Sequence, residues 1–288
     1  MGLDIGILAA FGAVLAWGLG DFFIQRTVRK IGIVETLMVI GVVGAIGLFP
    51  LIYADLQVLF LPENAALLTG LGIITFIAAM LNFYAYKIGK LSVVEVVLEI
   101  ELPIMVALGL VFFGEALQPF QAILITSIFL GILLVALGSV KVKKEHFLEK
   151  GVLAAGSAAL FMGLVNFLTA SAAKNISPLV AIWGPWVIFT LISILVVWKA
   201  KRFNAFWKNI QVHKKLVIVT GVFDTLAWVA FAVTTNYHPL SISIAITESY
   251  PAVALVLGLW FNKEKIKGRQ FFGAGLALGA SILLGFFA

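Results

Sequence analysis

The sequence predicts an all-α integral membrane protein with ten transmembrane helices arranged as two inverted five-helix repeats. Three observations predict it. Of the 288 residues, 62% are hydrophobic and only 12% are charged, about half the charge of a typical soluble domain. The apolar residues gather in continuous segments long enough to cross a ~30 Å hydrocarbon core, which takes about 20 residues. Finally, 19 of the 20 Lys and Arg residues fall in alternate connections between those segments. A mean hydropathy of +1.12 excludes a soluble enzyme, a disordered chain and a nucleic-acid-binding domain. The net charge of +6 therefore marks membrane loops and not a DNA footprint. With no cysteine, the chain has no disulfide, thiolate metal site or Cys nucleophile.

The spans follow in order. Gly6–Ile24 ends at the basic run Arg26, Arg29 and Lys30, and Gly32 opens Ile33–Tyr53. The sequence Leu61-Pro62-Glu63-Asn64 separates this from Ala66–Tyr86, and Lys87 to Ser92 forms a tight turn into Val93–Phe113. Gly114 to Pro119 leads into Ala122–Val140. After the charged run Lys141 to Lys150 come Val152–Ala172, Val180–Trp198 and Leu216–Asn236. The short break Tyr237 to Ser241 makes a hairpin into Ile242–Phe261, and Phe271–Phe287 is the last span. Continuous rather than alternating apolar runs argue for helices and against a membrane β-barrel. The first span lacks a basic leader, so a cleaved signal peptide is not expected.

The basic residues orient the bundle. The odd-numbered loops hold 19 Lys and Arg, whereas the even-numbered loops and the termini hold only Lys174. Because positive loops stay cytoplasmic, both termini are expected outside a multi-pass protein of the cell (plasma or inner) membrane.

The halves repeat. At an offset of 149, Gly72 meets Gly221, Leu91-Ser92 meets Leu240-Ser241, Glu99 meets Glu248, Glu115 meets Glu264, and Gln121 meets Gln270. Trp17-Gly18-Leu19-Gly20-Asp21-Phe22 falls on Met162-Gly163-Leu164-Val165-Asn166-Phe167 at an offset of 145. Five spans per half is an odd number, so the second copy must be inverted. Charge follows the inversion: Ala54–Ala65 has no basic residue, while its counterpart Lys199–Lys215 has six. The expected units are residues 1–140, a cytoplasmic linker at 141–150, and residues 151–288. Inverted repeats with a site near the midplane are a transporter architecture.

Each half also closes with a pattern: Leu91-Ser92, Pro103, Phe113-Gly114-Glu115, Gln121 and Gly131 in the first, and Leu240-Ser241, Pro251, Phe261-Asn262-Lys263-Glu264, Gln270 and Gly273 in the second. In this the sequence resembles the EamA-type transporters of the drug/metabolite transporter superfamily, over the whole chain as two copies. The resemblance implies an exporter of metabolites, amino acids or organic cations, with a central cavity lined by spans 1, 3, 4, 6, 8 and 9. Asn262-Lys263 departs from the usual small-Gly pair, and the outside termini depart from many relatives.

Charged groups inside spans are costly, about 2.5–3.5 kcal/mol each on insertion scales, and so are candidates for function. Here they are almost all acids: Asp21, Glu35, Glu95, Glu99, Glu101, Asp224 and Glu248. Glu35 and Glu95 lie near span ends and can snorkel to the interface. Asp21 either pairs with Arg26 or Lys87 or lines the cavity, and Asn166 is its repeat partner. Glu99 and Glu248 lie roughly 9 Å deep from opposite faces, at 1.5 Å per residue, and are the expected proton or substrate sites. Helical geometry puts Glu101 about 200° from Glu99, on another face. Asp224 is expected near mid-membrane. Trp17, Trp183, Trp186, Trp228 and Tyr250 are candidate aromatic walls for a cation. Pro103 and Pro251 are expected to kink their helices. Leu91-Ser92 and Ser241-Ile242-Ser243 look like helix caps.

No enzyme motif, cofactor loop or metal-ligand cluster is present, and no ATP-binding segment. The expected function is a secondary transporter exporting small metabolites such as amino acids or amines, with protons as the expected coupling ion and lipid as the surrounding partner. Alternatives are an uncoupled facilitator, a multidrug or organic-cation exporter, or, in another class, an intramembrane enzyme or signalling component.

Overall fold

In the computed structural model, residues 4–88, 97–138, 150–253 and 267–288 are described. The described chain is helical. In order it forms α1 (Ile5–Ile31), α2 (Ile33–Ile52), a short 3-10 segment (Tyr53–Phe60), α3 (Pro62–Ile88), α4 (Glu101–Phe112) and α5 (Pro119–Gly138). The second half gives α6 (Lys150–Asn175), α7 (Pro178–Lys199), α8 (Phe203–Tyr237), α9 (Leu240–Thr247) and α10 (Gly268–Phe286). Among the described residues, seven helices are long and apolar enough to cross a membrane, and α4 and α5 are shorter apolar helices. The protein is a multi-pass helical membrane protein. Large apolar side chains such as Ile46, Val111 and Phe271 cover its outside, as a lipid-facing surface requires.

Helix starts follow local chemistry. Asp4 caps α1 by accepting from Ile7 N at 3.0 Å, and Pro178 occupies the first turn of α7, where its missing N–H costs nothing. Gly32, at φ 105°, turns the chain between α1 and α2 in a conformation that suits glycine.

Packing pairs the halves. α1 packs along α8 as α3 packs along α6, while α2 packs on α7, α4 on α9 and α5 on α10. Exchanging first-half helices for their second-half counterparts leaves the α1–α8, α3–α6, α2–α7 and α5–α10 neighbours unchanged. The counterpart pairs α5–α10 and α2–α7 run antiparallel. Gln121 at the start of α5 reaches Phe287 beyond the end of α10, and Gln270 at the start of α10 reaches Val135 on α5. Trp183 Nε1 likewise donates to Ala45 O of α2 at 2.9 Å, while Phe189 and Thr190, further along α7, face the earlier Gly41. The α5–α10 crossing is close enough that a Cβ on Gly131 would lie 2.7 Å from Gly273 O, and one on Gly273 would lie 2.6 Å from Gly131 O. Glycine at both positions lets two membrane helices meet at backbone distance.

Two connections differ from the sequence expectation. Residues 203–212, read as part of a basic loop, are helical and join α8 through a break at His213 (φ −114°, ψ 21°). Phe206 anchors this stretch against Ile31, Met38 and Val197, with Trp207 exposed, so Lys208 rides on an amphipathic helix. Residues 53–60, on the other connection, form a 3-10 helix with Val58 O accepting from Asn64 Nδ2 at 2.9 Å. Glu95, Leu91-Ser92, Glu264 and Asn262-Lys263 lie outside the described residues.

Candidate functional site

The site is built where two helices break. In both halves the chain turns at the repeat-related acid: Glu99 and Ile100 form a turn before α4, and Glu248 and Ser249 form one after α9. Proline explains the break. Pro103 has no N–H to offer Glu99 O, which accepts from Leu102 N at 3.3 Å, the tighter 3-10 spacing. Pro251 likewise offers nothing to Thr247 O, and Ser249 N donates back to Ile246 O at 3.1 Å. The discontinuity falls about one turn before each proline and puts a carboxylate at each. Pro103 itself is exposed.

Both breaks open on one cavity of about 100 Å³, room for several waters or a small ligand. Asp21, Glu99, Asp224 and Glu248 line it, with Asn166 opposite. Trp17, Trp228 and Tyr250 form its aromatic wall, with Trp17 and Trp228 edge to face at 5.4 Å and Trp17 and Tyr250 at 6.2 Å. Asp21, Glu99, Asn166, Asp224, Glu248, Trp17, Trp228 and Tyr250, all singled out from the sequence, thus line one cavity. The acids are near enough to repel: Glu248 lies within electrostatic reach of Asp21 and Glu101, and Asp224 of Asp21. The Tyr250 hydroxyl pairs with the Asp21 carboxyl.

Some expectations are corrected. Glu101 lines the same cavity as Glu99, because the turn at residues 99–100 interrupts the helical rotation that would separate them. Its carboxyl accepts from Asn166 Nδ2, tying α4 to α6. Asp21 finds neither suggested cation: Arg26 lies 3.8 Å over the Phe22 ring and Lys87 is exposed at the end of α3. Glu35 is buried, not snorkelled, and its carboxylate sits 3.3 Å from Arg202, which fastens α2 to the start of α8. Trp183 holds Ala45 O and is no part of the wall, whereas Trp186 is. The start of α9 is capped not by Ser241 or Ser243 but by Glu115, whose carboxylate accepts from Leu240 N, from Ser241 N at 2.9 Å and from the Ser241 hydroxyl. A carboxylate satisfies several orphan helix N–H groups at once and suits the positive end of the helix dipole, which a hydroxyl cannot match. Lys174, the one basic residue on its side of the charge pattern, stands 3.8 Å from Glu115.

Asn82, Tyr86 and Thr75 of α3 also line the cavity and were not singled out from the sequence. The one available signal was their spacing on one face of span 3, which among so many apolar residues is weak.

A multi-pass helical membrane protein, folded as two like halves around a cavity of acids and aromatics, is the class this geometry defines. The chain belongs to the EamA-like transporter family, which matches it twice, over residues 4–137 and 149–286. It is a membrane transporter of the drug/metabolite type, and the family is one of transporters, not enzymes. No curated protein matches the chain. A solved crystal structure of another protein, 15% identical, superimposes over 100% of this chain and 99% of that one with a TM-score of 0.75. At that identity the likeness is one of fold.

Proposed function

We propose that the cavity is the translocation site of a secondary transporter that exports small metabolites, amino acids or amines, by alternating access with proton exchange. Residues 1–140 and 151–288 are its two five-helix units, joined by the linker at 141–150, and the ten spans are inverted between the units. The antiparallel run of α2 against α7 and of α5 against α10 supports the inversion. The Lys and Arg bias supports termini outside the cell membrane.

One observation carries the reading: Glu99 and Glu248, equivalent by the repeat, each sit at a helix break and both line one cavity. Broken helices at a shared central site, one from each inverted unit, let either unit rock while the site stays in place. Buried carboxylates that gain and lose protons as substrate leaves and enters would couple the two movements. Asp21 and Ile24 on α1, Leu37 and Ile40 on α2, and Asn82, Phe83 and Tyr86 on α3 lie in the halves of those helices nearest Arg26, Lys30 and Lys87, which favours access from the basic side. On the opposite side Glu115 clamps the start of α9.

Purified protein in liposomes carrying an internal pH indicator tests the proposal. A panel of amines and amino acids is added under an imposed pH gradient. At least one compound is expected to dissipate the gradient in protein-containing liposomes and not in empty ones. No protein-dependent proton movement and no uptake of any panel member would overturn it.

A further inference from the structure

Resting on that transport reading, we infer that the substrate is an organic ammonium ion that carries N–H donors and no carboxylate, which excludes amino acids. The inference comes from what the cavity offers a ligand. Its titratable groups, Asp21, Glu99, Glu101, Asp224 and Glu248 with two tyrosines, include no Lys, Arg or His among the described lining residues. Among the described lining residues a substrate carboxylate would face acids and no Lys, Arg or His to pair with, an arrangement that is costly to bury.

Hydrogen bonding points the same way independently of charge. The amide oxygens Asn82 Oδ1 and Asn166 Oδ1 are buried on the cavity wall with no donor among the described residues. Asn166 itself is only 3% exposed, and its amide nitrogen is spent on Glu101. A buried acceptor left open in this way calls for a donor. Donors for an anion are scarce. The Thr75 hydroxyl donates to Leu71 O at 2.7 Å, and the Tyr250 hydroxyl pairs with Asp21. Trp186 Nε1 lies beside Gly44, where a Cβ would come within 2.8 Å of it, and has no acceptor among the described residues. Among the described lining residues, two buried amide oxygens are thus left open against one open buried donor, Trp186 Nε1.

The acids do not chelate. Among the described residues no three His, Cys, Asp or Glu side chains are grouped closely enough to hold a metal ion. Spread carboxylates beside Trp17 and Trp228 suit a larger cation with an apolar body, held by charge at one end and against aromatic side chains at the other. Primary and secondary ammonium groups add N–H donors for the open amide oxygens; a quaternary ammonium cannot.

A matched series on one scaffold tests this: 2-phenylethylammonium, phenylalanine, and trimethyl(2-phenylethyl)ammonium, titrated calorimetrically into the purified protein. The amine is expected to bind about ten-fold or more tightly than either of the others, the scale of one charge-assisted hydrogen bond or one unpaired buried charge. In Asn82→Leu, the ratio of amine to quaternary affinity should shrink, a change that a general loss of packing would not produce. Phenylalanine binding as well as the amine would overturn the exclusion of amino acids. Equal binding of the amine and its quaternary analogue would overturn the N–H requirement. Binding of none of the three would overturn the assignment as a whole. The liposome panel judges transport separately, because flux of amino acids alone would sink this inference and leave the transporter standing.

Discussion

Gln121 and Gln270 perform the same task from opposite ends of one helix pair. Gln121 Nε2 donates to Phe287 O at 2.9 Å, beyond the end of α10, and Gln270 Nε2 donates to Val135 O of α5 at 3.2 Å. Each also turns its amide oxygen back to cap its own helix, accepting from Gln118 N at 3.0 Å and from Lys267 N at 3.1 Å. The two residues are 149 positions apart, the offset that relates Glu99 to Glu248. The clasp and the candidate site thus obey one symmetry.

Replacing either glutamine with leucine should destabilise the fold and spare the cavity. Gln270→Leu leaves the buried Val135 carbonyl open and should cost about 1–3 kcal/mol; Gln121→Leu opens a half-exposed end and should cost about 0.5–1.5 kcal/mol. Unfolding midpoints in detergent, with ligand titration beside them, check both the order and the unchanged binding.

The α5–α10 crossing predicts a sharp contrast among glycines. Gly131→Ala and Gly273→Ala place a Cβ against backbone atoms and should each cost about 1–3 kcal/mol. Gly275→Ala, where nothing lies within 4 Å of the new Cβ, should be neutral or stabilising by up to about 1 kcal/mol through helix propensity. Expression level and thermal midpoint of the three variants give the comparison.

Orientation is open to chemical labelling because the chain has no cysteine of its own. Cysteines at Glu63 and Gln118 should react with an impermeant maleimide in intact cells, and cysteines at Asn204 and Lys208 should react only after lysis. The reverse pattern would overturn the outside termini and leave the helix count in place.

Outside the membrane-spanning helices, Asp4 and His238 join the start of α1 to the end of α8 at 2.8 Å. Gly6 makes room, since a Cβ there would lie 2.5 Å from the imidazole. The hydrogen bond from His238, followed by that from Ile7 N, holds the Asp4 carboxyl below its ordinary value of about 3.8. A depressed carboxylate stabilises the fold above its unfolded pKa and loses that contribution as pH falls through the folded one. Asp4→Asn should therefore lower the thermal midpoint slightly at pH 6, and the difference should close below about pH 3.8. Both groups are near water, so the effect belongs to the small range of exposed pairs.

Much of this was legible in the sequence, for physical reasons. Lipid demands continuous apolar helices, so span existence could be read, and a duplicated chain leaves equal offsets, so Glu99 and Glu248 could be paired. Glu101 could not be placed, because its direction depends on a two-residue turn that only the missing N–H of Pro103 hints at. The helix over residues 203–212 was hidden by Lys208 and the basic residues on either side of it, which suggest a loop although Phe203, Phe206 and Ile210 share one packed face. The capping role of Glu115 was invisible too: it depends on a contact across 126 residues to Ser241.

The central claim is that the repeat-related pair Glu99 and Glu248 does the coupling, and substrate-driven proton flux in liposomes bearing Glu99→Gln or Glu248→Gln tests it most directly. Glutamine keeps the size and hydrogen-bonding capacity of a protonated glutamate but carries no titrating proton. Glu35→Gln is the control, a buried acid paired with Arg202 away from the cavity. Each cavity variant should fold and lose proton-coupled flux, while the control keeps it. Wild-type flux with unchanged pH dependence in both Glu99→Gln and Glu248→Gln would contradict the account.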